Sequence, residues 1–555
     1  MNPGAPHSQT PEPRPGVFFF EGYGLLSSRL PGLLPLLLLL LLGTACRPPE
    51  RADLVVHNGP EPETIDPQVL TGQADGRIAG ALFEGLTRFD PETGNAIPGL
   101  AEAWEVSPDG RRYRFRLRES LRWSTGEPIS AEDFVWSWRR AVTPSTGSDY
   151  ASQFFPLRNG EPIVSGREKD PTTLGVSAPD PRTVVVDLVN PTPYFPELAA
   201  SRVYAPVPRH LVERLGPQWI RADPLSCSGP YRLMEWRLND RFRLRRNDAY
   251  WEAASVASER VDVLSGDNAM TALNLFLRGD VDLLVDRKII PGELGPELAA
   301  RQDFHRFTFL GCDFVRFNTR RKPFSDVRVR RAFALAIDRG AITRRVTRLG
   351  EPATATLTPS GAGGYRPPEV VGLDVAEARR LLAEAGFPEG RGFPAVDYTY
   401  NVGTRLQEQA GVEIQAQLRA HLGVEVRLRP LEWKTYLADM SRLEYDFIRG
   451  SWIGDYNDPM TFLDCFHSDS GNNRTGWRNP RYDALLAEAA REVDTSRRHR
   501  ILADAERLLV LDEVPVTGLF SHVGLCAYRP GELEGFFPNL IDEHPFSRLR
   551  RLTRP

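Results

Sequence analysis

The chain has 555 residues, more than one hydrophobic core serves, and an apolar content of 41% that fits ordinary globular packing, so two or three domains are expected. Its 69 basic and 73 acidic residues leave a net charge of −4, which excludes a broad electrostatic footprint for nucleic acid. The 47 prolines and 46 glycines predict many turns between short elements, as in a large α/β or α+β protein.

From Arg29 the chain reads "RLPGLLPLLLLLLLGTAC", a basic flank and a leucine run ending in small residues before Cys46. The run is shorter than the roughly 20 apolar residues that span a bilayer, so it predicts a cleaved export signal. Cys46 after small residues resembles the lipobox of bacterial lipoproteins, whose mature chain begins at a lipid-bearing cysteine, although Gly43 stands where that pattern usually has leucine. Gly43-Thr44-Ala45 read as a small-x-small site gives the alternative, cleavage without a lipid. The proline-rich Met1 to Ser28, with Glu12 and Glu21, is unusual ahead of such a signal and reads as a start site placed too early. Export would leave Cys227, Cys312, Cys465 and Cys526 open to disulfide formation in any of three connectivities. None has metal-ligand spacing, and the nine histidines are scattered, so neither a metal site nor a cofactor is expected.

After a polar leader, Leu54 to Val56 predicts a first strand and "NGPEPETIDP" a turn-rich segment. Ile78, Leu82, Phe83 and Leu86 fall at helical spacing, and Tyr113, Phe115 and Leu117 alternate with arginines as a half-exposed strand. Further strands are expected at 183–189 and 241–245. Asp374 and Glu377 have the spacing of a capping box ahead of a helix that Gly386 ends. Val396, Tyr398 and Tyr400 alternate, a helix is expected over 404–422, and Val424, Val426 and Leu428 alternate again. Strand, helix, strand predicts a parallel sheet. A short helix from Trp433 to Arg442 then leads to a strand in "YDFIRGSW".

That last strand delivers the chain into "IGDYNDP". In open α/β sheets ligands bind beyond the carboxyl ends of strands, so Asp455 and its neighbours are a candidate binding site. The plainer alternative is a polar turn in which Asp455 caps a helix and the tryptophans fill core.

The ordered segments "PETIDP", "LFEGLTRFDPETGNAIPGLAEAW", "SGPYRLMEW", "RNDAYW", "KPFSDVRVRRAFALAIDR", "LEWKTYL" and "RGSWIGDYNDPMTFLDCFHSDSGNN" resemble the oligopeptide-binding proteins of bacterial ABC importers, extracytoplasmic solute-binding proteins of family 5. The resemblance covers essentially the whole mature chain. It implies an α/β, two-lobed fold of the periplasmic-binding-protein type (type II) with an extra domain inserted in lobe I. Lobe I would comprise 52–73, 207–306 and 516–555, the inserted domain 74–206, and lobe II 307–515. It also implies a monomer in the periplasm or on the cell surface, anchored through Cys46, that delivers short peptides to an inner-membrane ABC permease.

Residue by residue, Asp455 matches the family's aspartate that holds the ligand α-ammonium. Trp433 and Trp452 match indoles that line side-chain pockets. Tyr150 matches a tyrosine reaching the ligand from the inserted domain, and Arg449 an arginine that can meet a ligand carboxylate, with a salt bridge inside the lobe as its plainer role. The extended segment around Glu61 to Glu63 is suited to bonding a peptide backbone. Two departures concern the far end of the ligand: Met440 stands where a second arginine is found, and Thr517, Gly518 and Leu519 stand where tyrosines are common.

Among other functions, a hydrolase would need a nucleophile with its base, and the chain has no G-x-S-x-G pattern; no enzyme is expected. A binding protein for a metal chelate or haem, or a peptide sensor, remains as the alternative within binding.

Overall fold

The computed structural model describes residues 51–291, 294–402 and 405–552. The export signal and Cys46 lie outside them, and Ala52–Pro555 forms one compact unit.

Strand β1 (Leu54–His57) is buried on both faces. After the helix Gln73–Leu82, β2 (Thr87–Phe89) pairs with β3 (Ala96–Pro98). Then β4 (Ala101–Val106), β5 (Arg112–Leu117), β6 (Val176–Asp180) and β7 (Thr183–Asp187) form a separate antiparallel sheet in the order β4-β5-β7-β6. In β5 the predicted alternation is realised, with Tyr113, Phe115 and Leu117 buried between exposed arginines.

The remaining strands are β8 (Tyr231–Arg237), β9 (Arg241–Arg246), β10 (Arg260–Leu264), β11 (Leu283–Leu284), β12 (Phe304–Phe317), β13 (Val396–Asn401), β14 (Val426–Leu431), β15 (Phe447–Ile453) and β16 (Val516–Tyr528). With β1 they make a ten-stranded sheet ordered β14-β13-β15-β12-β16-β11-β1-β10-β9-β8. One lobe is built on β1 and β8 to β11, the other on β13 to β15, and the long β12 and β16 run through both. As expected, β13 and β14 are parallel and joined by the helix Arg405–Leu422. Asp374 caps the helix Val375–Glu384, accepting from the N–H of Glu377.

Between the lobes the β12–β16 register slips: Thr308 faces Val523 but Cys312 faces Ser521, so residues 309–311 oppose His522 alone. A bulge bends and twists its strand, here between the two lobes. Gly311 is needed there because a Cβ would sit 2.5 Å from Nδ1 of His522.

One core runs from β1 through the inserted segment, including Phe83, Phe115, Trp138, Tyr204 and Tyr231. Lobe II has one core on each face of its sheet, around Phe333, Tyr398 and Phe447 on one side and Phe314, Phe466 and Tyr482 on the other. The four cysteines form none of the three disulfide pairings: all are free and buried. They pack as small apolar side chains, and burial pushes the Cys227 thiol up to about 12.

The tyrosine-poor stretch of β16 has a packing reason. The N–H of Gly518 donates to Ala355 O and that of Thr354 to Leu519 O, so the segment 353–356 lies directly against β16. A Cβ on Gly518 would collide with the carbonyl oxygen of Thr356. Thr517 accepts from buried Arg339 at 2.6 Å, and Leu519 is in the core. Gly518→Ala is expected to destabilise the protein by about 1–3 kcal/mol, the usual range for overpacking, read as a lower midpoint in urea unfolding.

Candidate functional site

Strand β15 pairs with β12 along its whole length, from Gly311↔Ile453 to Phe317↔Phe447. On its other side it pairs with β13 only at Tyr398↔Phe447 and Thr399↔Ile448. From Arg449 to Ile453 that second edge has no strand partner among the described residues, and such an edge presents backbone donors and acceptors. Asp455 lies two residues beyond its carboxyl end.

The turn after β15 reaches across to the inserted segment. Tyr456 stacks on Tyr194 with ring centroids 4.6 Å apart and planes 3° from parallel. Asn457 donates to Gly94 O and to Asn95 Oδ1 at 3.2 and 3.1 Å. Asp458, buried, pairs with Arg498 at 2.5 Å and accepts from the N–H of Met460. Asp458, rather than Asp455, therefore does the local polar work of the turn. The carboxylate of Asp455 has no hydrogen bond or ion pair among the described residues.

Asp455 lines a cavity of about 310 Å³ between the lobes, with Tyr150, Leu70, Phe89, Phe309 and Ile453 among its walls. Although the side chain is open to the cavity, the surrounding protein displaces water, and this desolvation pushes its carboxyl up to about 6. Burial, then the nearby charge of Asp455, pushes the Tyr150 hydroxyl up as well. The cavity's other acids are neutralised: Asp542 pairs with Arg77 at 2.9 Å, and Glu543 with Arg202. Arg77 is also held by Asp286 at 3.1 Å. What remains is one uncompensated carboxylate, an arrangement that favours a cation.

The structure brings Asp455 and Tyr150 together and leaves other expected residues elsewhere. Trp433 is 51% exposed at the start of the helix Trp433–Arg442, stacked on Tyr436, and does not line the cavity. It lies two residues beyond β14, two strands from β15 in the sheet. Trp452 is packed against the lobe II core, its Nε1 buried without an acceptor.

Arg449 takes its plainer role. Its guanidinium is 2.5 Å from buried Asp313 and donates to Asn401, and His522 contacts the same carboxylate at 2.8 Å. The Glu61 carboxylate accepts from Trp236 Nε1 and the N–H of Asn239, which ties it to β8 and the turn beyond it. Glu63 is exposed, and its N–H, like that of Thr64, donates to Asp75. Two backbone donors of that stretch are therefore taken by an internal partner. Sequence reasoning missed Arg77, Arg202, Asp542 and Glu543, because pairs as distant as Arg77 and Asp542 leave no local signal.

No group of three or more His, Cys, Asp or Glu among the described residues is placed to hold a metal ion, and no helix among them is long and apolar enough to cross a membrane.

A two-lobed sheet crossed by two long strands, with a binding cavity between the halves, defines a solute-binding protein of the clamp type. Residues 95–474 match the family model described as "Bacterial extracellular solute-binding proteins, family 5 Middle". The chain is 35% identical over 490 residues to the "Probable deoxycholate-binding periplasmic protein YgiS" of Escherichia coli (strain K12), covering 85% of this chain and 89% of that one. It is 34% identical over 491 residues to the periplasmic oligopeptide-binding protein OppA of Salmonella typhimurium, covering 87% and 89%. Among solved structures, the unliganded open form of the periplasmic murein tripeptide-binding protein MppA matches with a TM-score of 0.81 and 30% identity, over 91% of this chain and 98% of that one. The chain belongs to the bacterial extracellular solute-binding proteins of family 5.

Proposed function

We propose that the chain is the extracytoplasmic peptide-binding subunit of an ABC importer, and that Asp455 receives the α-ammonium of a short peptide. The observation that carries this reading is the single uncompensated carboxylate in a cavity whose other acids are paired. A pair of unit charges about 4 Å apart contributes on the order of 4 kcal/mol at an effective dielectric near 20, before desolvation. The edge of β15 from Arg449 to Ile453 supports the rest: a peptide added there as a strand is held by its backbone, whatever its sequence. Closure of the lobes about β12 and β16 encloses the ligand. An inner-membrane permease then receives the cargo, with the protein tethered through a lipid on Cys46 and acting as a monomer that does not cleave what it binds.

Mass spectrometry of protein purified from its native host is expected to show short peptides with free amino ends; recovery of only a metal complex, haem or a bile acid would overturn the reading. The name of one relative raises the bile acid directly. Its carboxylate is an anion, which an unpaired Asp455 repels. Incubated peptides are expected to be recovered intact.

The raised carboxyl of Asp455 gives a pH signature. Only the ionised form attracts an ammonium group, and a peptide's α-amino group, with a pKa of about 8, stays charged throughout. Affinity is expected to fall by about tenfold per pH unit below about pH 6, until the carboxyl of the complex also protonates. Calorimetric titration from pH 7.5 to 4.5 checks this, and an N-acetylated peptide is expected to bind weakly with no such slope.

A further inference from the structure

Arg316 is 5% exposed, yet no carboxylate contacts it among the described residues. Its Nη1 lies 3.4 Å from Sδ of Met440, and its Nε is buried with no partner. The rings of Phe314 and Phe466, with centroids 4.7 and 6.0 Å from the guanidinium carbon, offer partial compensation only. Burial pulls its pKa down, and the nearby charge of Arg474 adds to that. Position 440, where the sequence lacks an expected arginine, is thus reached by a guanidinium from the neighbouring strand.

The strand register shows where this charge faces. Arg316 is opposite Ile448, Phe314 opposite Gly450 and Cys312 opposite Trp452, so these six residues share one face of the sheet. The helix carrying Tyr436 and Met440 packs on that face against Ile448. Two further polar atoms there are buried without partners: Nε1 of Trp452, and Oγ1 of Thr399, which is level with Ile448. Between them Gly450 lets the guanidinium and the Phe314 ring lie directly against the strand, since a Cβ there would be 2.7 Å from Nη1 of Arg316 and against the ring of Phe314. Gly450 belongs to the stretch of β15 whose outer edge has no strand partner.

We propose that Arg316, beneath Gly450, is a specificity-determining receptor for a carboxylate on one side chain of the bound peptide, so that an acidic residue is preferred there. This rests on the peptide-binding reading. A peptide lying along the edge of β15 directs alternate side chains to each face of the sheet. One of them falls beside Gly450, where the guanidinium occupies the place that a side chain of the strand would otherwise take. A carboxylate accepts two bonds from the guanidinium fork and supplies the counter-charge that the protein omits. An amide of the same shape offers one acceptor and no charge, and leaves the cation uncompensated.

The test compares tripeptides of otherwise alanine sequence in which Glu or Gln is walked through the three positions, titrated calorimetrically into the mature protein. The expected result is one position at which Glu binds at least about tenfold tighter than Gln, and a ratio near one at that position in Arg316→Met. Arg316→Gln, which keeps hydrogen-bond donors but removes the charge, is expected to shrink the same ratio, so the idea stays testable should Arg316→Met fail to fold. Equal affinities for Glu and Gln at every position, or a preference that survives both substitutions, would overturn the acidic preference while leaving peptide binding standing. Failure of every tripeptide to bind would overturn the peptide-binding reading itself, and this inference with it.

Discussion

Asp455→Asn is expected to weaken the binding of a free-amine tripeptide by more than about 100-fold, roughly 3 kcal/mol, because the ligand's ammonium group would be enclosed with no counter-charge. The same substitution is expected to make the unliganded protein more stable at neutral pH. Desolvation raises the Asp455 carboxyl from 3.8 to about 6, so the folded protein holds the proton more tightly than the unfolded chain does. Stability is therefore lost as pH rises from the unfolded to the folded value, and above about pH 6 the full cost is present. Two units would correspond to about 3 kcal/mol, but the side chain is open to the cavity's water, and screening reduces the expected gain in the asparagine variant to about 1 kcal/mol. Thermal unfolding at pH 4 and pH 7 checks the sign: the variant's advantage appears at pH 7 and shrinks at pH 4. An unchanged peptide affinity in the variant would remove Asp455 from ligand recognition.

Arg449→Met is expected to cost about 3–5 kcal/mol of folding stability, the usual effect of removing one partner from a buried ion pair. Burial by itself pushes the Asp313 carboxyl up, but Arg449 and His522 overcome that and hold it below the usual carboxylate range. The pair's contribution is thus present above the unfolded carboxyl value and lost as pH falls through the lowered one. Replacing Asp313 by asparagine as well removes the stranded charge, so the double variant is expected to recover most of the loss in urea unfolding at pH 7. If Arg449→Met unfolds like the parent and loses only peptide affinity, its guanidinium serves the ligand and the structural role fails.

The two arginines of this lobe show how far local reading extends. Arg449 stands inside a recognisable motif, and the sequence offered both of its roles: a ligand contact, or a salt bridge to a nearby acid. Its partner proved to be Asp313, on another strand 136 positions away, and nothing in the spacing of "RGSWIGDYNDP" points to it. Arg316 stands in no motif at all. Its significance comes from what does not surround it, and an unpaired buried group can be recognised only once every neighbour is in place. Glu61 shows the converse: a residue in a recognisable segment whose carboxylate was claimed by Trp236, 175 positions away.

The periodic elements were legible because their signals are short-range. Alternation in β5 and β13, the Asp374 cap, and the strand-helix-strand run through 396–431 each depend on residues a few positions apart. Together with the ordered family segments they determined the lobed α/β architecture and placed Asp455 just past a strand end. Tertiary structure alone decided which charges were neutralised, which strand edge stayed open, and that four cysteines remained thiols. Those outcomes depend on distances between residues far apart in the chain, and electrostatic compensation and disulfide formation are both properties of distance.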